Sequence, residues 1–262
     1  MRVMEPNGDR NASDDGLLPK YHQIYLVLSQ QIRDGEYCED VPIPGEMELG
    51  RQFGVSRITI RKALERLERE GAILRHRGRG TFVRPMPDPA HVAASLSGSI
   101  ENLIAMGLKT QVRVISLAYV PAPSDVVAAL RLAPRATVQR AIRVRSHDGI
   151  PFSHLTTYVP EDLGRAFGEK DMEATPLLLL LERAGVRIRG AEQWITAKLA
   201  TPDVARHLQV EPGEPLLSIT RLVEDEGGRA VELIHGLYRP DTYEHRMSFD
   251  RINTADRRIW KT

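Results

Sequence analysis

Apolar residues near the start of the chain recur at three- and four-residue spacing. Tyr21, Ile24, Tyr25, Leu28 and Ile32 form one helical stripe that ends near Asp34-Gly35. A second, short helix is expected after Pro44, with Met47, Leu49 and Phe53 as its buried residues. Gly54-Val55-Ser56 separates it from a third, for which Ser56 is a suitable N-cap. In that helix Ile60, Ala63, Leu64 and Leu67 fall within about 100° of arc, and Glu70-Gly71 ends it. The period then changes. Ala72 to Arg75 and Thr81 to Val83 read as two short strands around the tip His76-Arg77-Gly78-Arg79-Gly80.

Farther along, Pro85, Pro87 and Pro89 favour extended polyproline geometry, which makes a semi-rigid spacer. From about His91 to Arg251 the pattern repeats itself. A shift of 78 residues pairs Asp125 with Asp203, Leu130 with Leu208, Pro134 with Pro212 and Arg143 with Arg221. The turn Asp148-Gly149 then matches Glu226-Gly227, and a two-residue insertion aligns Tyr158 with Tyr238 and Pro160 with Pro240. Each copy reads as a short helix (Ser124 to Leu130; Pro202 to Leu208), a strand, a tight turn and a returning strand. Between the copies, Thr175 to Ala184 is expected as a helix and Val186 to Lys198 as a strand. The fold class that results is α+β: three helices and a hairpin, then a pseudo-symmetric domain with a mainly antiparallel sheet. The expected divisions are a disordered tail over 1–16, the helical unit over 17–84, a linker over 85–91, the duplicated domain over 92–252 and a C-terminal tail over 253–262.

Composition removes several classes. The longest apolar run, Leu177 to Leu181, is far short of the roughly 20 residues a membrane span needs. The N-terminus has no apolar signal core, so a cytoplasmic location with no membrane partner is expected. The lone Cys38 excludes an internal disulfide and has no Cys or His at zinc-ligand spacing. A net charge of +1 argues little for any charged partner until it is divided by segment. Met1 to Gly50 holds four basic and ten acidic residues, a net of −6; Arg51 to Arg84 holds ten basic and three acidic, a net of +7.

Three helices and a hairpin, with a short turn between the second and third helices, have the layout of a winged helix-turn-helix. Four segments carry a family likeness: Pro44-Gly45-Glu46-Met47-Glu48-Leu49, Phe53 to Leu64, Leu67-Glu68-Arg69-Glu70-Gly71, and Arg77 to Val83. In that order they resemble the DNA-binding domain of GntR-type bacterial transcription regulators. The polar side of the third helix offers Ser56, Arg57, Thr59, Arg61 and Lys62, types that reach guanine edges and phosphates when a helix start enters the major groove. A solvated helix face is the bland alternative; the resemblance points to Arg57, Thr59 and Arg61 as DNA contacts. The hairpin tip offers Arg75, His76, Arg77 and Arg79 with Gly78 and Gly80, suited to a narrow minor groove, against the alternative of a flexible turn. Gly45 and Met47 stand where the family usually has Ser and Arg.

The second half resembles the effector-sensing UTRA domain of the HutC branch of these regulators, whose fold is similar to chorismate lyase. Ser97-Gly98-Ser99 with Gly107, Arg143-Val144-Arg145, Asp148-Gly149-Ile150-Pro151, Tyr158-Val159-Pro160, Leu180 to Val186 and Tyr238 to Tyr243 carry the likeness. By alternation, Arg143 and Arg145 share a strand face about 7 Å apart and could clamp a carboxylate or phosphate; an exposed, salt-bridged face is as compatible with the pattern. The resemblance implies an effector role for both, together with Glu232, Tyr238, Ser97 and Ser99. Leu155 replaces an acidic residue of many relatives, which implies a less polar pocket on that side. Expected partners are therefore double-stranded operator DNA, a small effector and a second copy of the chain. No cofactor or metal is expected: His147, Asp148 and His154 bracket a turn without metal-ligand spacing and are expected to be solvated. No nucleophile elbow, phosphate loop or carboxylate pair appears, so no catalytic residue is assigned, and lyase chemistry on the chorismate-lyase-like fold is the weaker alternative to a repressor.

Overall fold

The computed structural model describes residues 19–37, 40–84, 92–96, 110–247, 250–253 and 258–261. The expected N-terminal tail, the linker over 85–91, Ser97 and Ser99 lie outside these residues. The chain divides into two compact units, Met1–Pro87 and Asp88–Thr262.

The first unit contains α1 (Lys20–Arg33), α2 (Glu46–Phe53), α3 (Arg57–Arg69) and the antiparallel hairpin β1 (Ile73–His76) and β2 (Gly80–Val83). Its core joins Ile24 and Leu28 of α1 to Leu49 of α2, to Ile60, Ala63, Leu64 and Leu67 of α3, and to Ile73. The expected stripe of α3 is the buried one. Gly54 closes α2 with φ 64, a left-handed conformation in which any side chain is strained. Arg66 clamps α3 to α1: its guanidinium lies 3.8 Å from the Tyr25 ring centroid and Nη1 is 2.8 Å from His22 Nδ1. Met47 corrects the sequence expectation, being 70% exposed. Leu49 and Phe53, four residues apart, turn to the core, and Met47 lies about 200° round the helix from Leu49.

The second unit is built on a six-stranded antiparallel sheet in the order β4-β5-β6-β9-β8-β7. The strands are β4 (Gln111–Pro121), β5 (Thr137–His147), β6 (Ile150–Pro160), β7 (Ile188–Leu199), β8 (Pro215–Asp225) and β9 (Ala230–Tyr238). Each half is one meander, and the halves meet at β6 and β9, so a pseudo-two-fold axis runs between these strands. The repeat of 78 residues carries helix Ser124–Leu130 (α4) onto Pro202–Leu208, and β5 onto β8. Even the left-handed caps correspond, Arg131 with φ 53 and Gln209 with φ 56.

The returning strands correct the sequence alignment by one residue. Asp148 (φ 48) and Gly149 (φ 78) form a two-residue turn, whereas the second turn is Glu226-Gly227-Gly228, with Gly228 left-handed at φ 77. The insertion is therefore one residue. Tyr238 pairs with Leu217, the counterpart of Gln139, and Gln139 pairs with Val159. Val159 is thus the counterpart of Tyr238, and Tyr158 points to the other face of the sheet, as any one-residue slip in a strand requires. By the same register Ser153 corresponds to Glu232.

Two helical layers cover the sheet. On one face α4 packs Val126 and Leu130 against Val138, Leu222 and Leu233, while Pro202–Leu208 packs Val204, Ala205 and Leu208 against Leu216. On the other face lie α5 (Glu161–Gly164), α6 (Glu169–Ala174) and α7 (Leu177–Arg183), which with Pro202–Leu208 as α8 complete the helices. Met172, Leu177 and Leu181 meet Ala141, Val159 and Val223 there. β3 (Val92–Leu96) pairs in parallel with β10 (Tyr243–Met247), and β11 (Asp250–Asn253) pairs with β12 (Arg258–Lys261), so the segment expected as a tail from 253 carries a strand. Among the described residues no helix is long and apolar enough to cross a membrane.

Candidate functional site

The first cluster of candidate residues lies on α3 and the hairpin. Ser56 Oγ accepts a hydrogen bond from the Thr59 amide at 3.3 Å and lies 2.8 Å from Thr59 Oγ1, so the cap also fixes the Thr59 hydroxyl. Arg57, Arg61 and Lys62 are exposed on the side away from the core. Arg57 donates from Nε to Glu46 at 2.7 Å, and Arg61 Nε lies 3.5 Å from the same carboxylate. These arginines hold the Glu46 carboxyl below the usual carboxylate range, Arg57 most strongly.

The hairpin divides the three arginines expected at its tip. Arg77 and Arg79 are exposed in the turn beside Gly78, whose φ of 76 requires glycine. Arg75 sits earlier, within β1, turned toward Glu68 at 3.6 Å and Glu46 at 3.9 Å. Gly80 has a reason internal to the fold: a Cβ there would come within 2.9 Å of Pro42 Cβ. Ile58 is 68% exposed on the cationic side of α3, a position outside the set that the sequence pattern singles out. Its signal was an apolar residue opposite the helix's own apolar stripe, suited to a thymine methyl group.

The second cluster is buried on the α5–α7 face of the sheet. Register places Arg143 and Arg145 of β5, Ser153 and Leu155 of β6, Glu232, Gly236 and Tyr238 of β9, Arg221 of β8 and Gln193 of β7 on that one face. Arg143 is 2% exposed and Glu232 0%, which removes the reading of a salt-bridged surface strand. Arg145 Nη1 donates to Thr110 Oγ1 at 3.0 Å, and Arg221 donates from Nε and Nη2 to Gln193 Oε1 at 3.0 and 2.6 Å. Among the described residues, Arg143 Nε and Nη1, Arg145 Nε, Ser153 Oγ and both Glu232 oxygens have no hydrogen-bond partner. Buried polar groups are rarely left so.

Electrostatics follow burial. Desolvation pulls Arg145 down to about 10, with Arg143 as the next cause. It also lowers Arg143 and raises Glu232, outweighing the attraction between these opposite charges. Arg221, the counterpart of Arg143 in the repeat, completes a group of three guanidiniums around one carboxylate. Leu155 stands opposite Arg143 and packs with Phe152, Tyr238 and Tyr243, giving this side the apolar character expected. Tyr243 of β10 stacks on Tyr238 at 4.2 Å between ring centroids, and burial raises its pKa. Gly236 is required by these rings: a Cβ would meet Tyr238 Cε2 at 2.6 Å and Leu155 Cδ2 at 3.1 Å.

Comparison with known proteins decides the family. Residues 20–83 match the model of bacterial regulatory proteins of the gntR family, and residues 105–244 match the UTRA domain. The chain is a GntR-family regulator with a UTRA domain. It is 29% identical over 243 residues to the HTH-type transcriptional repressor NagR of Bacillus subtilis, covering 93% of this chain and 100% of the relative. The histidine utilization repressor of Pseudomonas putida is 30% identical, with 79% of this chain and 83% of the relative covered. Among solved structures, PhnF from Mycobacterium smegmatis is similar with a TM-score of 0.52 at 27% identity, over 86% of this chain and 98% of that one. The first two are named as repressors, and the matched family is one of regulatory proteins, not of enzymes.

In this GntR regulator the histidines correct one expectation. His147 and Asp148 lie 3.6 Å apart at the β5–β6 turn, as expected. His154, by contrast, is buried in β6 on the α8 face, stacked on His207 at 5.3 Å. Burial first, and His207 second, push its pKa down to about 4, so His154 is neutral at ordinary pH. Among the described residues no group of three or more His, Cys, Asp or Glu side chains could hold a metal ion.

Proposed function

We propose that this GntR-family regulator is a cytoplasmic, homodimeric repressor that binds a near-palindromic operator and changes its operator affinity when a small anion enters the buried cluster. Ser56, Arg57, Thr59, Arg61 and Lys62 would meet the major groove, while Arg77, Gly78 and Arg79 would reach the adjacent minor groove, with Arg75 and Gly80 supporting the wing. Two copies would read two half-sites, since protein two-fold symmetry is mirrored in the operator.

The observation that carries the sensing half is the surplus of buried cation. Among the described residues, Arg143, Arg145 and Arg221 face one acid, Glu232, with hydrogen-bonding capacity left over on Arg143, Arg145, Ser153 and Glu232. An anion would accept from the guanidiniums, and Glu232 would accept from a hydroxyl or amine of the same molecule. Tyr238 closes the apolar side with Leu155; Ser97 and Ser99 join the proposal on the family resemblance alone. A few kcal/mol of preference for one arrangement of the two reading heads suffices to release DNA.

The test is fluorescence anisotropy on the DNA upstream of the regulator's own gene. Arg61→Ala should weaken operator binding, and full retention of affinity would overturn the groove assignment. Thermal-shift screening against anionic catabolic intermediates should find a compound that stabilises the parent and not Arg143→Met. A compound that stabilises both equally would move the effector elsewhere.

A further inference from the structure

Glu46 sits among the arginines of the reading head. Glu46 opens α2, and its carboxylate lies 2.7 Å from Arg57 Nε, 3.5 Å from Arg61 Nε and 3.9 Å from Arg75 Nη1. It is the sheltered member of the group, with a side chain 20% exposed against 61% for Arg57 and 48% for Arg61. One carboxylate thus touches cations from α3 and the wing, all in the unit that meets DNA.

Stability is a weak reason for such an arrangement, because exposed ion pairs contribute little. A negative charge beside a phosphate-binding surface also opposes DNA affinity. What Glu46 supplies is direction. An arginine side chain samples many rotamers when it is free. Arg57 gives its Nε to Glu46, which leaves both Nη groups available, and these are the groups that pair with guanine O6 and N7.

We propose that Glu46 is a positioning residue that determines specificity. It holds Arg57 and Arg61 toward base edges, and it cancels charge that would otherwise bind any phosphate backbone. The proposal rests on α3 entering the major groove. It assigns to one acid the balance between sequence-selective and indiscriminate binding.

The experiment compares the full-length regulator with Glu46→Gln and Glu48→Gln. Glu48 is an exposed acid of the same first helical turn, so its variant loses the same charge and the same favourable contact with the helix N-terminus. Binding to the upstream operator duplex and to a scrambled duplex of equal length is measured over a salt series. Glu46→Gln should lower the ratio of operator to scrambled affinity about tenfold or more, with scrambled DNA bound as tightly as before or more tightly. Glu48→Gln should leave that ratio within about twofold. An unchanged ratio in Glu46→Gln would overturn the proposal, as would equal weakening on both duplexes with a lowered melting temperature, the mark of a structural role. If Arg61→Ala leaves the operator preference of the parent intact, the groove reading itself fails, an outcome separable from a failure of Glu46 alone.

Discussion

Replacing Arg145 by Met should make the sensor more stable. Burial and the neighbouring Arg143 hold the Arg145 pKa at about 10, below the ordinary arginine range, against weaker support from Tyr238 and Glu232. A depressed arginine pKa means that the charged form is less favourable in the folded chain than in the unfolded one. At about 1.4 kcal/mol per pKa unit, the penalty at neutral pH is about 3 kcal/mol. Met keeps much of the stem and removes the charge, but it forfeits the 3.0 Å hydrogen bond to Thr110, which is worth about 1.5 kcal/mol for a charged donor. The net gain is about 1 to 2 kcal/mol. For a unit the size of Asp88–Thr262, that raises the melting temperature by about 3 to 6 °C.

Differential scanning calorimetry of the full chain would follow the sensor transition. The difference between variant and parent should be flat from about pH 6 to 9, because Arg145 stays charged until the pH rises through its folded pKa; only above that does the penalty lift. Any anion that stabilises the parent should stabilise this variant less. A fall in melting temperature of more than about 3 °C would refute the reasoning, since it would mean that the guanidinium holds the fold together.

Ser56→Ala removes the cap of α3 and should destabilise the DNA-binding unit by about 1 kcal/mol in thermal unfolding. Arg61→Ala should weaken operator binding by about 1 to 3 kcal/mol in anisotropy, with a smaller loss on scrambled DNA. Gly236→Ala should displace Tyr238 and abolish the response to any effector found by thermal shift; a normal response would separate Tyr238 from the site. His154, neutral and stacked on His207, contributes stability that is present above the ordinary histidine pKa and lost as pH falls toward about 4. His154→Phe should therefore flatten the fall in melting temperature between about pH 7 and 5, and an unchanged slope would count against the buried pair.

The DNA-binding unit was legible because its signals are local. Caps, glycines and the apolar stripe of α3 lie within a turn or two of what they specify. Met47 failed because an eight-residue helix offers too few turns to separate core from surface by period, and its place on the surface was decided by α3 packing on Leu49. Arg143 and Arg145 could be assigned to one strand face from alternation, but not to the inside. Their neighbours are residues far away in sequence, Thr110 on one side and Glu232 and Tyr238 on the other, which no local pattern brings together. Arg221 was visible in the repeat as the partner of Arg143, yet its place in the cluster needed the order β5-β6-β9-β8, which no local signal encodes. Glu46 was read as part of a family motif, and its contact with three arginines was invisible until α2, α3 and β1 were brought together.

A protein made of two copies ordinarily carries a spare of each part. This sheet does not, because its copies meet edge to edge in a single seam and spend their equivalent positions on the same cluster. Arg143 and Arg221 occupy one repeat position and both face Glu232; Ser153 and Glu232 occupy another, a hydroxyl in one copy and an acid in the other. Duplication here has gathered equivalent positions into one cluster instead of two: among the described residues each copy supplies part of it, Arg143, Arg145 and Ser153 from one and Arg221, Glu232 and Tyr238 from the other.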